Sequence, residues 1–196
     1  MREFLIRARK APVDPERFLC NVGEKSHVEY LAQVMQHALL IAQGHRADTR
    51  LTLVLENSAD FSRAITVDGG SLGSLQGWTE QALVEFLADV VGRGKGLAKG
   101  QETTFIDGVT VSATSFEYLV RNRARALLVL DPKGPDIRKE AALDNALFVM
   151  TDHIPMPRNT LKYMRRLGAR SVSLGPVMLH AAQCISVIHN ELDRRT

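Results

Sequence analysis

Cysteine is nearly absent from this chain of 196 residues, which carries only Cys20 and Cys184. The two stand far apart with neither CxxC nor metal-ligand spacing, so no zinc site or disulfide framework is indicated, and a reducing cytoplasm is the expected setting. Long apolar runs are missing as well. Nothing approaches the roughly 20 residues that a membrane span requires, and the opening MREFLIRARK, with charges on both sides of a short apolar patch, does not read as a targeting segment. No internal repeat or low-complexity tract is visible. No GxGxxG follows a predicted strand, and the glycine-rich stretch from Gly92 to Gln101 lacks the Walker pattern because no Ser or Thr follows Lys95. Nor is there a strong excess of one charge. A formal net charge of +3 with a pI near 9.0 is mildly basic and by itself says little about nucleic acid.

What is present fits one large domain, long enough to bury most of its unfolded surface. Strands are predicted at Glu3 to Ala8, Leu51 to Leu55, Ala64 to Val67 and Val109 to Ser112. The segment SHVEYLAQVMQHALLIAQG predicts a helix, with Ser26 and Glu29 at capping-box spacing and Gly44 placed as its left-handed C′ residue. A second helix is expected from about Thr79 to Val91, a basic loop over Gly92 to Gln101, and a short helix around Phe116 to Arg121. The last third then alternates short apolar runs (Ala126 to Leu130, Ala146 to Met150, Ser171 to Leu174) with helical patterns. This predicts an α/β fold whose mostly parallel sheet carries helices on both faces.

Three loops follow those runs: LDPKGP, VMTDHIP and SVSLGPVML. Ligands of open α/β sheets lie at the carboxyl ends of the strands, so the three loops can converge on one ligand. In the first, Leu130 and the backbone beside Asp131 suit an adenine ring, although an ordinary Pro-Gly turn explains Pro132 to Pro135 as well. In the second, Asp152 could accept from a ribose and His153 could donate to a carboxylate; a turn-capping role is the alternative, and His153 has no spaced partner for a metal. The third is expected to open the final helix at Pro176, with amides free to receive a carboxylate. Cys184 falls on an apolar stripe with Ala181, Ile185, Ile188 and Leu192, as a packing residue would.

Basic residues cluster in three places. Arg2, Arg7, Arg9 and Lys10 open the chain, Arg121, Arg123 and Arg125 precede the Ala126 strand, and Arg158, Lys162, Arg165 and Arg166 recur at helical spacing to make one basic face. That face serves either phosphate contact or simple solvation. In the turn GHRADT, Arg46 could hold a phosphate and Asp48 could accept a proton; a local ion pair between them is the other reading.

The segments MREFLIRARKAP, GHRADT, TDHIP and SLGPVMLHAAQCISVIHNELD together resemble the archaeal-type tRNA pseudouridine-54 N1-methyltransferase family of the SPOUT superfamily, nearly end to end. In place of that family's Gly-Asp-His-Ile-Gly-like loop, this chain has Thr151 and Pro155 around Asp152, His153 and Ile154. The resemblance implies a C-terminal deep trefoil knot, a homodimer with each active site at a subunit boundary, and S-adenosylmethionine as cofactor. It implies cofactor contacts from Leu130, Thr151, Asp152, His153, Ile154, Leu174, Gly175, Leu179 and Cys184. Residues from about 1 to 122 would face RNA and those from about 123 to 196 would form the knotted cofactor region of a single SPOUT-like domain. Arg7 would join the RNA contacts with Arg158, Lys162, Arg165 and Arg166, and Arg46 and Asp48 would be catalytic. Methyl transfer to pseudouridine N1, in tRNA, needs positioning and deprotonation and no metal. The competing expectation is a non-catalytic RNA-binding protein on the same scaffold, whose TDHIP loop no longer admits cofactor.

Overall fold

Residue alternation along the first strand decides the architecture. In β1 (Arg2–Pro12), Phe4, Ile6 and Ala8 point to one side and Leu5 to the other, and all four are fully buried, so the strand needs cover on both faces. The computed structural model, which describes residues 1–122, 126–141, 143 and 146–195, supplies that cover. An eight-stranded sheet runs in the order β10 (Arg170–Val172), β8 (Ala126–Leu130), β9 (Ala146–Thr151), β1, β4 (Thr49–Asn57), β5 (Arg63–Asp68), β7 (Val109–Ser112), β6 (Glu102–Ile106). Neighbours from β10 to β4 pair parallel, and β5, β7 and β6 add an antiparallel extension. A small ribbon of β2 (Leu40–Ile41) and β3 (Gly44–His45) stands apart.

On one face, α2 (Glu29–Leu39), α3 (Glu80–Arg93) and α6 (Ala181–Asp193) bury Met35, Leu87 and Ile188 against Phe4, Leu53 and Phe148. The short α1 (Pro15–Leu19) adds Phe18. On the other face, α4 (Phe116–Asn122) and α5 (Arg158–Arg166) bring Phe116, Val120 and Met164 onto Leu5, Leu127 and Val149. The predicted α/β fold with a mostly parallel sheet and helices on both faces is what forms.

Three predicted boundaries are corrected. Ser26 does not cap α2; its hydroxyl donates to the Lys10 carbonyl at 3.0 Å, and Val28 takes the cap position without a side-chain bond. The helix stops at Leu39, and Leu40 to His45 turn into the ribbon, so Gly44 closes no helix. The final helix begins at Ala181, five residues beyond Pro176. Leu174 to Leu179 are non-helical chain, and the amides expected at a helix start are loop amides.

Between β8 and β9 the chain does something the periodicity did not announce. Asp131 to Ile137 cross over the end of β10, with Asp131 N–H donating to Val172 O at 2.9 Å, Ser173 N–H to Pro135 O at 2.7 Å and Ile137 N–H to Ser173 O at 2.9 Å. A Cβ on Gly134 would lie 2.9 Å from the Val172 nitrogen, so only glycine permits this approach. The Ser173 hydroxyl completes the seam. It is buried, accepts from Gly175 N–H at 3.2 Å, and has the carbonyls of Pro132 and Gly175 at 3.3 Å as acceptors.

At the amino-terminal end of the parallel strands a polar cluster locks α6 to β1 and α2. His189, buried, contacts the Ala38 carbonyl at 3.0 Å through Nε2 and the Arg2 guanidinium at 3.1 Å through Nδ1, and its ring meets Phe4 edge-on. These partners require the neutral imidazole with its proton on Nε2. Burial and the nearby Arg46 charge push its pKa down to about 4. The folded protein therefore resists protonation that the unfolded chain accepts below about 6.5. Stability is expected to be intact above that value and to fall as the pH drops towards 4. Urea midpoints across this window should show the decline, and His189→Gln, which keeps a donor and an acceptor without titrating, should flatten it; an unchanged slope would place the acid sensitivity elsewhere.

Candidate functional site

The carboxyl ends of β8 and β9, the chain leaving β10 and the start of α6 enclose a cavity of about 590 Å³, within the range of small-molecule sites. Its floor is apolar: Val129, Leu130, Val149 and Met150 end the strands, Met156 and Leu161 close one side, and Leu174, Leu179, Ala181 and Cys184 the other. Gly175, at φ +124°, turns the third segment outward in a conformation that suits glycine. The turn leaves Met178 82% exposed on the lip.

Set into this apolar wall are Asp152 and His153. Asp152 Oδ1 accepts from the Ile154 N–H at 3.1 Å, the Asx geometry that follows when a strand ends on aspartate. Its Oδ2 is buried without a hydrogen-bond partner, and so is His153 Nδ1; the two atoms lie 3.4 Å apart without the alignment of a hydrogen bond. Burial raises the Asp152 carboxyl above its ordinary pKa, against the opposing hydrogen bonds from the loop backbone and the His153 charge. An acceptor and a ring nitrogen left unsatisfied in a dry wall suit a ligand that brings hydroxyls. Cys184 lacks reactivity: burial pushes its thiol up to about 11, and its sulfur lies 3.8 Å from the Leu179 carbonyl.

Eight of the nine residues expected around a cofactor line this one cavity: Leu130, Thr151, Asp152, His153, Leu174, Gly175, Leu179 and Cys184. Ile154 contributes its backbone N–H to the Asp152 turn. The lining also includes Met156, Val177, Met178 and His180, which no spacing pattern singled out.

Arg46 and Asp48 stand elsewhere, and not with each other. Arg46 grips Asp193 with two hydrogen bonds of 3.1 and 2.7 Å, while Asp48 pairs with Arg2 at 3.0 Å. Arg46 and Arg2 together hold the Asp193 carboxyl down at about 2. In the sheet, Arg2 pairs with Thr49 and Arg7 with Thr151. Asp48 is thus about five residues of strand from the cavity, roughly 17 Å.

Of the basic residues, Arg158, Lys162, Arg165 and Arg166 are all exposed on α5, and Arg165 reaches the cavity rim, 3.9 Å from Asp131. Arg7 faces inward; its guanidinium meets Glu56 at 2.8 Å, Glu117 at 3.1 Å and Thr160 Oγ1 at 2.8 Å, above the Phe116 ring. Arg123 and Arg125 lie outside the described residues. Among the described residues, no three His, Cys, Asp or Glu side chains could hold a metal ion and no helix is long and apolar enough to cross a membrane.

Comparison with known proteins shows the family to which the chain belongs. A family model described as "Putative SAM-dependent RNA methyltransferase" matches residues 1–196. The chain is 44% identical over 195 residues to a "Putative pseudouridine methyltransferase" of Shewanella baltica, covering 98% of both chains. It is 42% identical over 197 residues to a relative of the same description from Vibrio cholerae, covering 100% of this chain and 98% of that one. Among solved structures, Archaeoglobus fulgidus Nep1 bound to S-adenosylhomocysteine shares the fold, with a TM-score of 0.61 at 15% identity over 98% of this chain and 97% of that one. The family resemblance expected from the TDHIP and SLGPVML segments is borne out, and the chain belongs to the S-adenosylmethionine-dependent RNA methyltransferases of SPOUT type.

Proposed function

We propose that this protein methylates N1 of pseudouridine in tRNA, at position 54, as a cytoplasmic homodimer with S-adenosylmethionine held in the cavity at the carboxyl ends of β8 and β9. The carrying observation is the buried Asp152 and His153 pair, unsatisfied in an otherwise apolar cavity of about 590 Å³. Leu130, Leu174 and Leu179 supply walls for an adenine ring, and Asp152 Oδ2 an acceptor for a ribose hydroxyl. We take the crossing of Asp131 to Ile137 over Val172 and Ser173 as the seam of a deep trefoil knot, tied when α6 packs beyond it. Thr151 and Pro155, which stand where the family has glycine, both line the cavity and leave it open. This favours a cofactor-binding enzyme over a scaffold that only holds RNA.

S-adenosylmethionine, when bound, supplies a methyl carbon on a positively charged sulfur. The chain's own residues must bring N1 of the base in line with that carbon and take its proton. A carboxylate that takes the N1 proton would free the nitrogen lone pair for the methyl carbon that the cofactor would supply, the C–S electron pair staying with the sulfur. Asp48 of the same protomer is too distant for this role, so the Asp48 that serves a given cavity is that of a second copy. The exposed basic face of α5, touching the rim through Arg165, is placed to hold phosphates beside an everted base, with the rest of the RNA met by residues before about 122. Arg7, its donors spent on Glu56, Glu117 and Thr160, is left out of that contact.

Calorimetry tests the cofactor site. Leu179→Arg is expected to abolish S-adenosylhomocysteine binding, and Asp152→Ala to weaken it about tenfold or more, as for a lost hydrogen bond to a buried charged group. Full affinity in folded variants would remove the cofactor from this cavity. The shared site makes a second prediction: Asp48→Asn and Leu179→Arg, each inactive alone, should regain activity when co-expressed, since a mixed dimer holds one cavity with both functions intact. No recovery in a proven mixed dimer would exclude Asp48 as the acceptor supplied across the dimer.

A further inference from the structure

Four ring side chains gather behind the cavity rim, on the sheet face opposite α5. His27 stacks on Tyr30, with ring centroids 4.9 Å apart and planes within 10°. His153 meets the pair edge-on, at 4.9 Å from His27 and 5.8 Å from Tyr30, and His180 meets Tyr30 at 5.4 Å. His153 and His180 line the cavity, so the stack begins where the cavity ends.

His27 is held there at a cost. Among the described residues it alone, outside glycine, has a positive φ, at 46°, a conformation that disfavours any side chain. Its imidazole is anchored by the Glu29 carboxylate, 2.9 Å from Nδ1. Burial works to raise that carboxyl, but hydrogen bonds from the Gly23 N–H and from His27 prevail and hold it below its ordinary value. Thus one edge of the ring is tied to Glu29 and one face lies on Tyr30, while 36% of the side chain stays accessible. Glycine would satisfy the backbone here, so the ring itself is what the site retains. Two exposed lysines lie on adjoining stretches of chain: Lys25 is two residues away, and the Lys10 backbone carbonyl accepts from the Ser26 hydroxyl next to His27.

We propose that His27 is a stacking platform for the nucleobase next to the methylated one, with Lys10 and Lys25 at the adjoining phosphates. This rests on the RNA methyltransferase reading of the cavity. Delivering a ring nitrogen into the cavity takes the target base out of its stack and strips its neighbour of a partner. A fixed, accessible aromatic ring beside the rim replaces that partner, and such stacking tolerates any base because every base has a π face. His27 is thereby a positioning residue, acting on the target nucleotide through the neighbouring one.

The test is methylation of a short RNA hairpin carrying pseudouridine in its loop, read as KM and kcat, with S-adenosylhomocysteine affinity measured alongside. His27→Gly suits the backbone, so it should keep or raise Tm. It should nonetheless raise KM for the hairpin about tenfold, with kcat and S-adenosylhomocysteine affinity within about twofold of wild type. His27→Trp should restore KM. An abasic site in place of the stacked neighbour should raise KM for the wild type and leave it unchanged in His27→Gly. An unaltered KM in His27→Gly would overturn the proposal, as would an equal loss of S-adenosylhomocysteine affinity or a halved mass in light scattering, which would assign the ring to the cofactor wall or to a subunit contact. A wild-type protein that binds S-adenosylhomocysteine but leaves every pseudouridine hairpin unmethylated would overturn both this proposal and the reading it rests on.

Discussion

The close passage of Gly134 across the backbone of Val172 is the contact on which the site depends. At that point two stretches about forty residues apart in sequence exchange hydrogen bonds through Asp131, Pro135, Ile137, Val172 and Ser173, with no room for a Cβ between them. The crossing keeps the chain after β10 beside the ends of β8 and β9, where a free loop would lose conformational entropy with every ligand bound. Ser173 then turns its hydroxyl to Pro132 and Gly175, tying the first loop to the third. A cavity assembled by backbone hydrogen bonds is ordered before its ligand arrives, and that lowers the entropic cost of binding.

The two ends of the parallel strands are put to different uses. The carboxyl end is apolar and holds unsatisfied Asp152 and His153. At the amino end, charges neutralise one another: Arg2 lies between Asp48, Asp193 and His189, and Arg46 adds a second grip on Asp193. Buried polar groups without partners are costly and are retained where a ligand will satisfy them. Compensated ones serve to lock α6 onto β1 and α2. The division explains how Asp152 and Asp48, both short carboxylates beside strand ends, differ in what they can do within one protomer.

Much of this arrangement was legible in the residues. The runs Ala126 to Leu130 and Ala146 to Met150 read as strands because an unbroken apolar stretch of that length has few other solutions, and Val109 to Ser112 because its apolar and polar residues alternate. Strand β6 is not predicted although Asp107-Gly108 between Phe105-Ile106 and Val109-Thr110 carries a hairpin signal; its half-exposed residues and the glycines before it mask the strand pattern. The helix start at Ala181 was misplaced because Pro176 is equally at home in extended chain. The three loops were recognisable as one site, since parallel strands deliver their carboxyl ends together. The partners of Arg46 and Asp48 were not legible, because Asp193 and Arg2 are neighbours only once β1, β4 and α6 are assembled. The same holds for His27 and Tyr30, which gain significance from His153 and His180, more than 120 residues later in the chain.

The central claim is that one preformed cavity, at the carboxyl ends of β8 and β9, receives the cofactor. Backbone amide shifts in an ¹⁵N-labelled sample titrated with S-adenosylhomocysteine examine every candidate position at once. The account predicts changes concentrated at Leu130 to Gly134, Thr151 to Met156 and Leu174 to Cys184, with β7 and β6 at the far edge of the sheet little altered. Shifts centred instead on the groove of His37, Arg46, Asn190 and Asp193 between α2 and α6 would contradict it.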